Sequence, residues 1–153
     1  LADPVADSAR SLLDGHLVLS RKLAERGHYP AVDILQSVSR LMNSVVSKEH
    51  KEAAQRLKEL YAIYADAEDL INIGAFAPGS NRRIDGAIAL IDRVRDFLIQ
   101  PVGERTGFEE TVNRLRKIDE MWVNLLSDKN GRRNEQPATA ETPTRTVRSQ
   151  VRV

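Results

Sequence analysis

The stretch from Gly27 to Met42, G-H-Y-P-A-V-D-I-L-Q-S-V-S-R-L-M, carries the side chains best suited to chemistry. Arg40 is its lone arginine or lysine. Pro30 locks its own φ and biases Tyr29 toward an extended backbone, which fixes the direction of the segment. A guanidinium on a short, stiff segment loses little entropy when it is aimed at an anion, and its planar fork suits phosphate or carboxylate. The plain alternative is an ion pair between Arg40 and a local carboxylate. Arg21, in L-S-R, is the competing arginine and reads as structural, pairing near the end of a strand.

Other chemistries find little support. The sequence contains no G-x-x-x-x-G-K-[ST] segment and no strand ending in a magnesium-binding Asp, so the chain alone is not expected to hydrolyse a nucleoside triphosphate. His16, His28 and His50 have no second ligand at metal spacing and read as solvated or structural, so no metal site is expected. Asp7, Asp14 and Asp33 read as helix-end and turn residues rather than a general-acid pair. No Ser–His–acid arrangement has a recognisable local context.

The elements that must position Arg40 follow from pattern. Asp3-Pro4 predicts a helix start, Asp3 as N-cap and Pro4 at the first helical position. Val5, Ala9, Leu12 and Leu13 share one face, and Gly15 reads as the stop. His16 to Ser20 predicts a short buried strand, and Ser20 to Glu25 a second short helix ending at Gly27. One clear strand cannot make a sheet, so this region reads as the edge of an α/β layer. From Ser47, an N-cap, the pattern is helical only. Ala53, Leu57, Leu60, Tyr61 and Tyr64 recur at helical spacing, with Asp66 to Ile73 continuing or restarting the helix before Gly74. Residues 75–83 read as a loop. A further apolar stripe carries Ile84, Ala87, Ile88, Ile91, Val94 and Leu98, and a last one Phe108, Val112, Leu115, Ile118 and Trp122. Three such stripes bury against one another as a small bundle. After Ser127, Asn, Gly, Arg, Thr, Pro and Gln dominate, which predicts a disordered, solvated tail.

The chain has 153 residues, 41% of them hydrophobic and 29% charged, which is ordinary for a soluble globular protein with a real core. A formal net charge of +1 gives no case for nucleic acid or an acidic substrate. The absence of cysteine excludes disulfide and thiol chemistry and fits a cytoplasmic protein. No apolar run reaches the ~20 residues of a membrane span and the N-terminal residues lack a signal-peptide pattern, so contact with a membrane would be peripheral at most.

With the upstream D-P-V-A-D-S-A-R-S-L-L-D-G-H-L-V-L-S-R-K-L-A, the Gly27–Met42 segment resembles the export ATPases of bacterial flagella and type III secretion systems, relatives of the catalytic subunits of rotary ATP synthases. The resemblance runs from about Asp3 to Ile118 and covers only the last part of such an ATPase, which implies that Leu1 is an internal position. It implies a mainly α chain: residues 1–46 as the edge remnant of a RecA-like α/β nucleotide-binding core, 47–126 as a C-terminal helical bundle, and 127–153 as the disordered tail. In the family the Arg of S-x-S-R, here Arg40 in S-V-S-R, reaches the γ-phosphate of the adjacent subunit. The Tyr of Y-P-A-V-D, here Tyr29, stacks on the adenine bound to its own subunit. An aromatic after a Q-P pair closes that pocket. Gln100-Pro101 is present here, but Phe108 follows only later and reads equally as the first core residue of the last helix.

The resemblance further implies ATP with Mg2+ in the intact parent and none bound by this part alone. It implies a homo-oligomeric ring, a hexamer, with the export stalk and chaperone–substrate complexes as partners. S-R-L-M, E-H-K-E-A-A, E-D-L-I-N-I-G-A-F and P-G-S-N look more flagellar than virulence-type, and rotary synthase subunits are less similar at Asp14-Gly15-His16. The rival class is a stand-alone helical interaction module indifferent to ATP.

Overall fold

The computed structural model describes residues 4–127. The N-cap expected at Asp3 and the tail expected from 128 onward lie outside the described residues. The order is α1 (Pro4–Leu12), β1 (Gly15–Leu19), α2 (Arg21–Glu25), β2 (Val32–Ser39), α3 (Met42–Val45), α4 (Lys48–Asn72), α5 (Arg82–Leu98) and α6 (Phe108–Ser127). The chain is mainly helical, as its periodicity predicts, with a small α/β edge ahead of the bundle.

β1 and β2 form a two-stranded antiparallel sheet. The strand at β1 was expected, but β2 was not. Its register explains why: Val18 pairs with Asp33 while His16 pairs with Val38, so residues 34–37 bulge out opposite Leu17. The bulge is built by Asp33, whose Oδ1 accepts from the N–H groups of Leu35 (3.0 Å) and Gln36 (3.1 Å) and whose Oδ2 accepts from Gln36 Nε2 at 2.7 Å. Ser37 Oγ donates to Asp33 O at 2.6 Å and accepts from Val18 N–H at 3.0 Å. These local bonds replace ladder bonds and break the two-residue alternation that marks a strand.

Gly15 does not act as the helix stop. It opens β1, where a Cβ would stand 2.7 Å from Val38 O, so the absent side chain is what lets the strands approach.

Ser47 caps α4, its hydroxyl accepting from His50 N–H, and the helix then runs unbroken through Asp66 to Asn72. Asn81, assigned to a loop by composition, is the N-cap of α5, with Oδ1 accepting from Arg83 and Ile84 N–H. Ala53, Leu57 and Leu60 of α4, Ala87, Leu90 and Val94 of α5, and Leu115, Ile118 and Trp122 of α6 make one core. Trp122 lies directly over Gly86, where an added Cβ would come within 2.9 Å of the Trp122 Cζ3. The indole therefore packs on bare helix backbone, a contact only glycine permits there.

Polar contacts set the helix pairing at the rim. Arg82 Nη2 donates to Leu125 O at 2.7 Å and Arg114 Nη2 to Asp96 O at 3.1 Å, which runs α5 and α6 antiparallel. Arg56 grips Asp119 in a two-bond fork, Nη2 to Oδ2 at 2.7 Å, joining α4 to α6, and Asp119 holds the guanidinium charged. Arg83 of α5 pairs with Glu59 of α4.

Phe108 departs from expectation: it begins α6 yet is 71% exposed, so the core stripe starts further along the helix.

Candidate functional site

The bulged hairpin decides where the two residues singled out by the sequence stand. Arg40 follows the last residue of β2, and Tyr29 precedes its first by three positions, so they occupy opposite ends of the strand. The paired span of β1, five residues, separates those ends by roughly 13 Å at the usual rise per residue.

Arg40 has no carboxylate partner among the described residues. Its backbone N–H donates to Asp14 O at 2.8 Å. Its guanidinium donates through Nη1 to Ser11 O at 3.1 Å and through Nη2 to Arg10 O at 3.4 Å. These are carbonyls of the last turn of α1, a region without intrahelical partners and with the negative end of the helix dipole. The local ion pair considered as the plain alternative is therefore not what the structure holds. The fork is oriented by neutral acceptors, and its full charge is left at an exposed position. Arg21 is likewise exposed, and its side chain enters none of the hydrogen bonds or ion pairs among the described residues, contrary to the structural pairing expected of it.

At the other end of β2, Tyr29 is 56% exposed and joined to Pro30 by a cis peptide bond. Its carbonyl accepts from Gln100 N–H at 2.9 Å. The structure thus brings together Tyr29 and the Gln100-Pro101 turn, which are distant in sequence. The Phe108 ring sits beside His50, centroids 5.8 Å apart and tilted by 51°.

The three histidines differ. His16 Nε2 donates to Gln36 O at 3.2 Å, His50 meets Phe108, and His28 is buried. Burial, with the nearby Arg95 guanidinium, pushes the His28 pKa below the ordinary histidine value. Burial likewise raises the Tyr61 hydroxyl. The sequence offered no signal for the surroundings of His28, because Tyr64, Glu68 and Arg95 line the same cleft only once α4 and α5 pack against its segment. No group of three His, Asp or Glu side chains converges as a metal site among the described residues, and no helix among them is long and apolar enough to cross a membrane.

A small α/β edge joined to a helical bundle defines the architectural class. Residues 1–39 match the nucleotide-binding domain of the ATP synthase alpha/beta family, and residues 46–117 match the C-terminal domain of the type III secretion ATPase EscN. Within that class the chain belongs to the flagellum-specific and type III secretion ATPases, to whose C-terminal part it corresponds. It is 46% identical to a flagellum-specific ATP synthase of Treponema pallidum over 77% of the chain and 26% of the relative. It is 47% identical to a type 3 secretion system ATPase of Pseudomonas savastanoi over 76% of the chain and 26% of the relative. Among solved structures it is similar to the assembled ATPase EscN of enteropathogenic Escherichia coli, at 42% identity and a TM-score of 0.74 over 76% of this chain and 28% of that one. EscN in complex with its central stalk EscO gives a TM-score of 0.72 at 41% identity, over 76% and 29%. The chain therefore spans about a quarter of the length of the curated relatives it matches.

Proposed function

We propose that this chain is the C-terminal segment of an ATPase that energises flagellar or type III protein export, and that Arg40 completes the active site of a neighbouring subunit. The observation that carries this reading is the state of Arg40: exposed, oriented by two backbone carbonyls of α1, and unpaired with any described carboxylate. A cation held this way is available to a phosphate. Phosphoryl transfer spreads negative charge over the equatorial oxygens, where an arginine fork stabilises it.

Tyr29 supplies the second contact. Its exposed ring, on a segment tied to the Gln100 turn, fits stacking on an adenine bound to its own subunit. Phe108, exposed at the start of α6, is the further aromatic proposed for that pocket. ATP with Mg2+ is the proposed cofactor of the intact protein. The residues present fit the base and the far side of the γ-phosphate, and no Mg2+ ligand is assigned to them. The proposal includes the domain division at 46/47 and 126/127, a hexameric ring, a cytoplasmic site of action, and a bundle surface facing the stalk and chaperone–substrate complexes.

A mixing experiment tests the trans role. Intact subunits carrying Arg40→Ala are combined with subunits lacking the phosphate-binding lysine, each species inactive alone. Recovery of hydrolysis in the mixed rings is the expected result, because some interfaces then hold one sound half from each subunit. Mixtures as inactive as their components would place Arg40 outside the neighbour's site.

Tyr29→Ala is expected to weaken ATP and ADP equally, by roughly tenfold or more, the scale of one base–aromatic stack. Equilibrium binding of a fluorescent analogue of each nucleotide measures it. Unchanged affinity would leave Tyr29 only its backbone role against Gln100.

A further inference from the structure

The bulge in β2 is also a place where the hairpin meets the bundle. Ile34, inside it, packs against the core shared by α4, α5 and α6. Ser37, at its end, is buried and held from three sides. Its Oγ donates to Asp33 O at 2.6 Å and accepts from Val18 N–H at 3.0 Å. Its carbonyl accepts from Lys58 Nζ of α4 at 2.8 Å. A carbonyl on a buried residue requires a donor, and here the bundle supplies one. Lys58 enters no ion pair among the described residues, so its ammonium is directed at this carbonyl.

From Ser37 the strand runs as a regular ladder to Arg40. Val38 pairs with His16 and Ser39 with Gly15, and the Arg40 N–H closes on Asp14 O at 2.8 Å. Gly15, without a Cβ, lets the strands approach closely at that end. Three residues of paired strand cover roughly 10 Å and contain no loose joint, so a shift at Ser37 is carried to the Arg40 backbone. The guanidinium itself is held less firmly, by carbonyls of Ser11 and Arg10 at 3.1 and 3.4 Å, all at exposed positions. These bonds orient the fork, while the strand sets where the side chain starts.

We propose that Lys58 is a positioning residue for Arg40: by holding Ser37 it fixes the bulge, and the bulge fixes where Arg40 stands relative to the neighbouring subunit. The inference rests on the reading of Arg40 as the residue that completes the neighbour's site. It adds that the helical bundle, through α4, sets the position of that arginine. A catalytic group misplaced by about 1 Å can lose a factor of ~10² in rate, so a modest shift of the bulge is enough to matter.

Two measurements test the link. In this chain, hydrogen exchange of the Arg40 amide and NMR relaxation of its Nε are compared among the parent, Lys58→Met, Lys58→Arg and Lys51→Met. Lys58→Met keeps a long stem and drops the donor. It is expected to speed Arg40 amide exchange by roughly tenfold or more and to loosen Nε. Lys58→Arg, which keeps a donor, is expected to restore both, and Lys51→Met, at an exposed lysine of the same helix, to move neither. In the intact protein, Lys58→Met is expected to lower kcat by roughly tenfold or more with KM unchanged. Once Arg40 is alanine, it is expected to cost nothing further, because the two residues act through one group. A mere docking tie between hairpin and bundle predicts a lower unfolding midpoint with Arg40 unmoved. That result, or an equal loss of kcat in both backgrounds, overturns the proposal. Full turnover in Arg40→Ala would sink the reading of Arg40 itself. The exchange data need no hydrolysis and would still uphold or overturn the tie between Lys58 and Arg40, so the two failures are distinguishable.

Discussion

Arg40→Ala in the intact protein is expected to lower the turnover of ATP by a factor of ~10³–10⁵, the range seen when an arginine aimed at the transferring phosphoryl group is removed. Nucleotide affinity is expected to change little, because the developing charge the arginine meets belongs mainly to the transition state. The structure also gives Arg40 a local job, two hydrogen bonds to the carbonyls of Ser11 and Arg10 at the end of α1. Losing exposed bonds of that kind costs about 1 kcal/mol of stability. A merely structural Arg40 would thus show a small shift in the unfolding midpoint with turnover near wild type. A catalytic one shows the same small shift with turnover nearly abolished. Arg40→Lys separates charge from shape: lysine keeps the point charge but loses the planar fork, so partial rescue is expected. Steady-state hydrolysis beside a denaturant titration of each variant decides the matter.

Trp122→Ala is expected to be the most damaging single change to the bundle, costing about 3–5 kcal/mol. Trp122 is among the largest fully buried side chains, 1% exposed, and belongs to the core shared by α4, α5 and α6. Its indole rests on the bare backbone of Gly86, so the cavity left by alanine has no neighbouring side chain at that position to collapse into it. A domain of this size holds only about 5–15 kcal/mol in all, so the loss is a large fraction of the whole. Urea unfolding followed by far-ultraviolet circular dichroism measures it, and in the parent chain the fluorescence of this sole tryptophan should report the same transition. A cost below about 1 kcal/mol would mean that the three helices close the gap by moving together, and that the Gly86 contact does not define the packing.

How these residues came to be legible differs from one to the next. Ser47 as a cap and the stripes of α4, α5 and α6 could be read directly, because a helix satisfies its hydrogen bonds within itself and its apolar face repeats at a local period. Phe108 shows the limit of that period: it falls on the stripe, but α6 begins there before it reaches the core, and the ring is left in solvent beside His50. β2 escaped because Asp33 bonds to its own neighbours and bulges the strand, leaving no alternation to detect.

The motif around Arg40 and the resemblance to export ATPases were properties of the sequence, and so were the helical character of the second half and the absence of a phosphate loop. Only the tertiary structure decided what those residues meet. Arg40 finds helix-end carbonyls about 30 positions earlier in the chain rather than a carboxylate. Tyr29 finds Gln100, and His28 is buried among side chains from three other helices. Local pattern records what a residue needs from its own segment. Partners distant in the chain are set by how the segments dock, and that follows from burial summed over the whole bundle, which no single stretch of sequence carries.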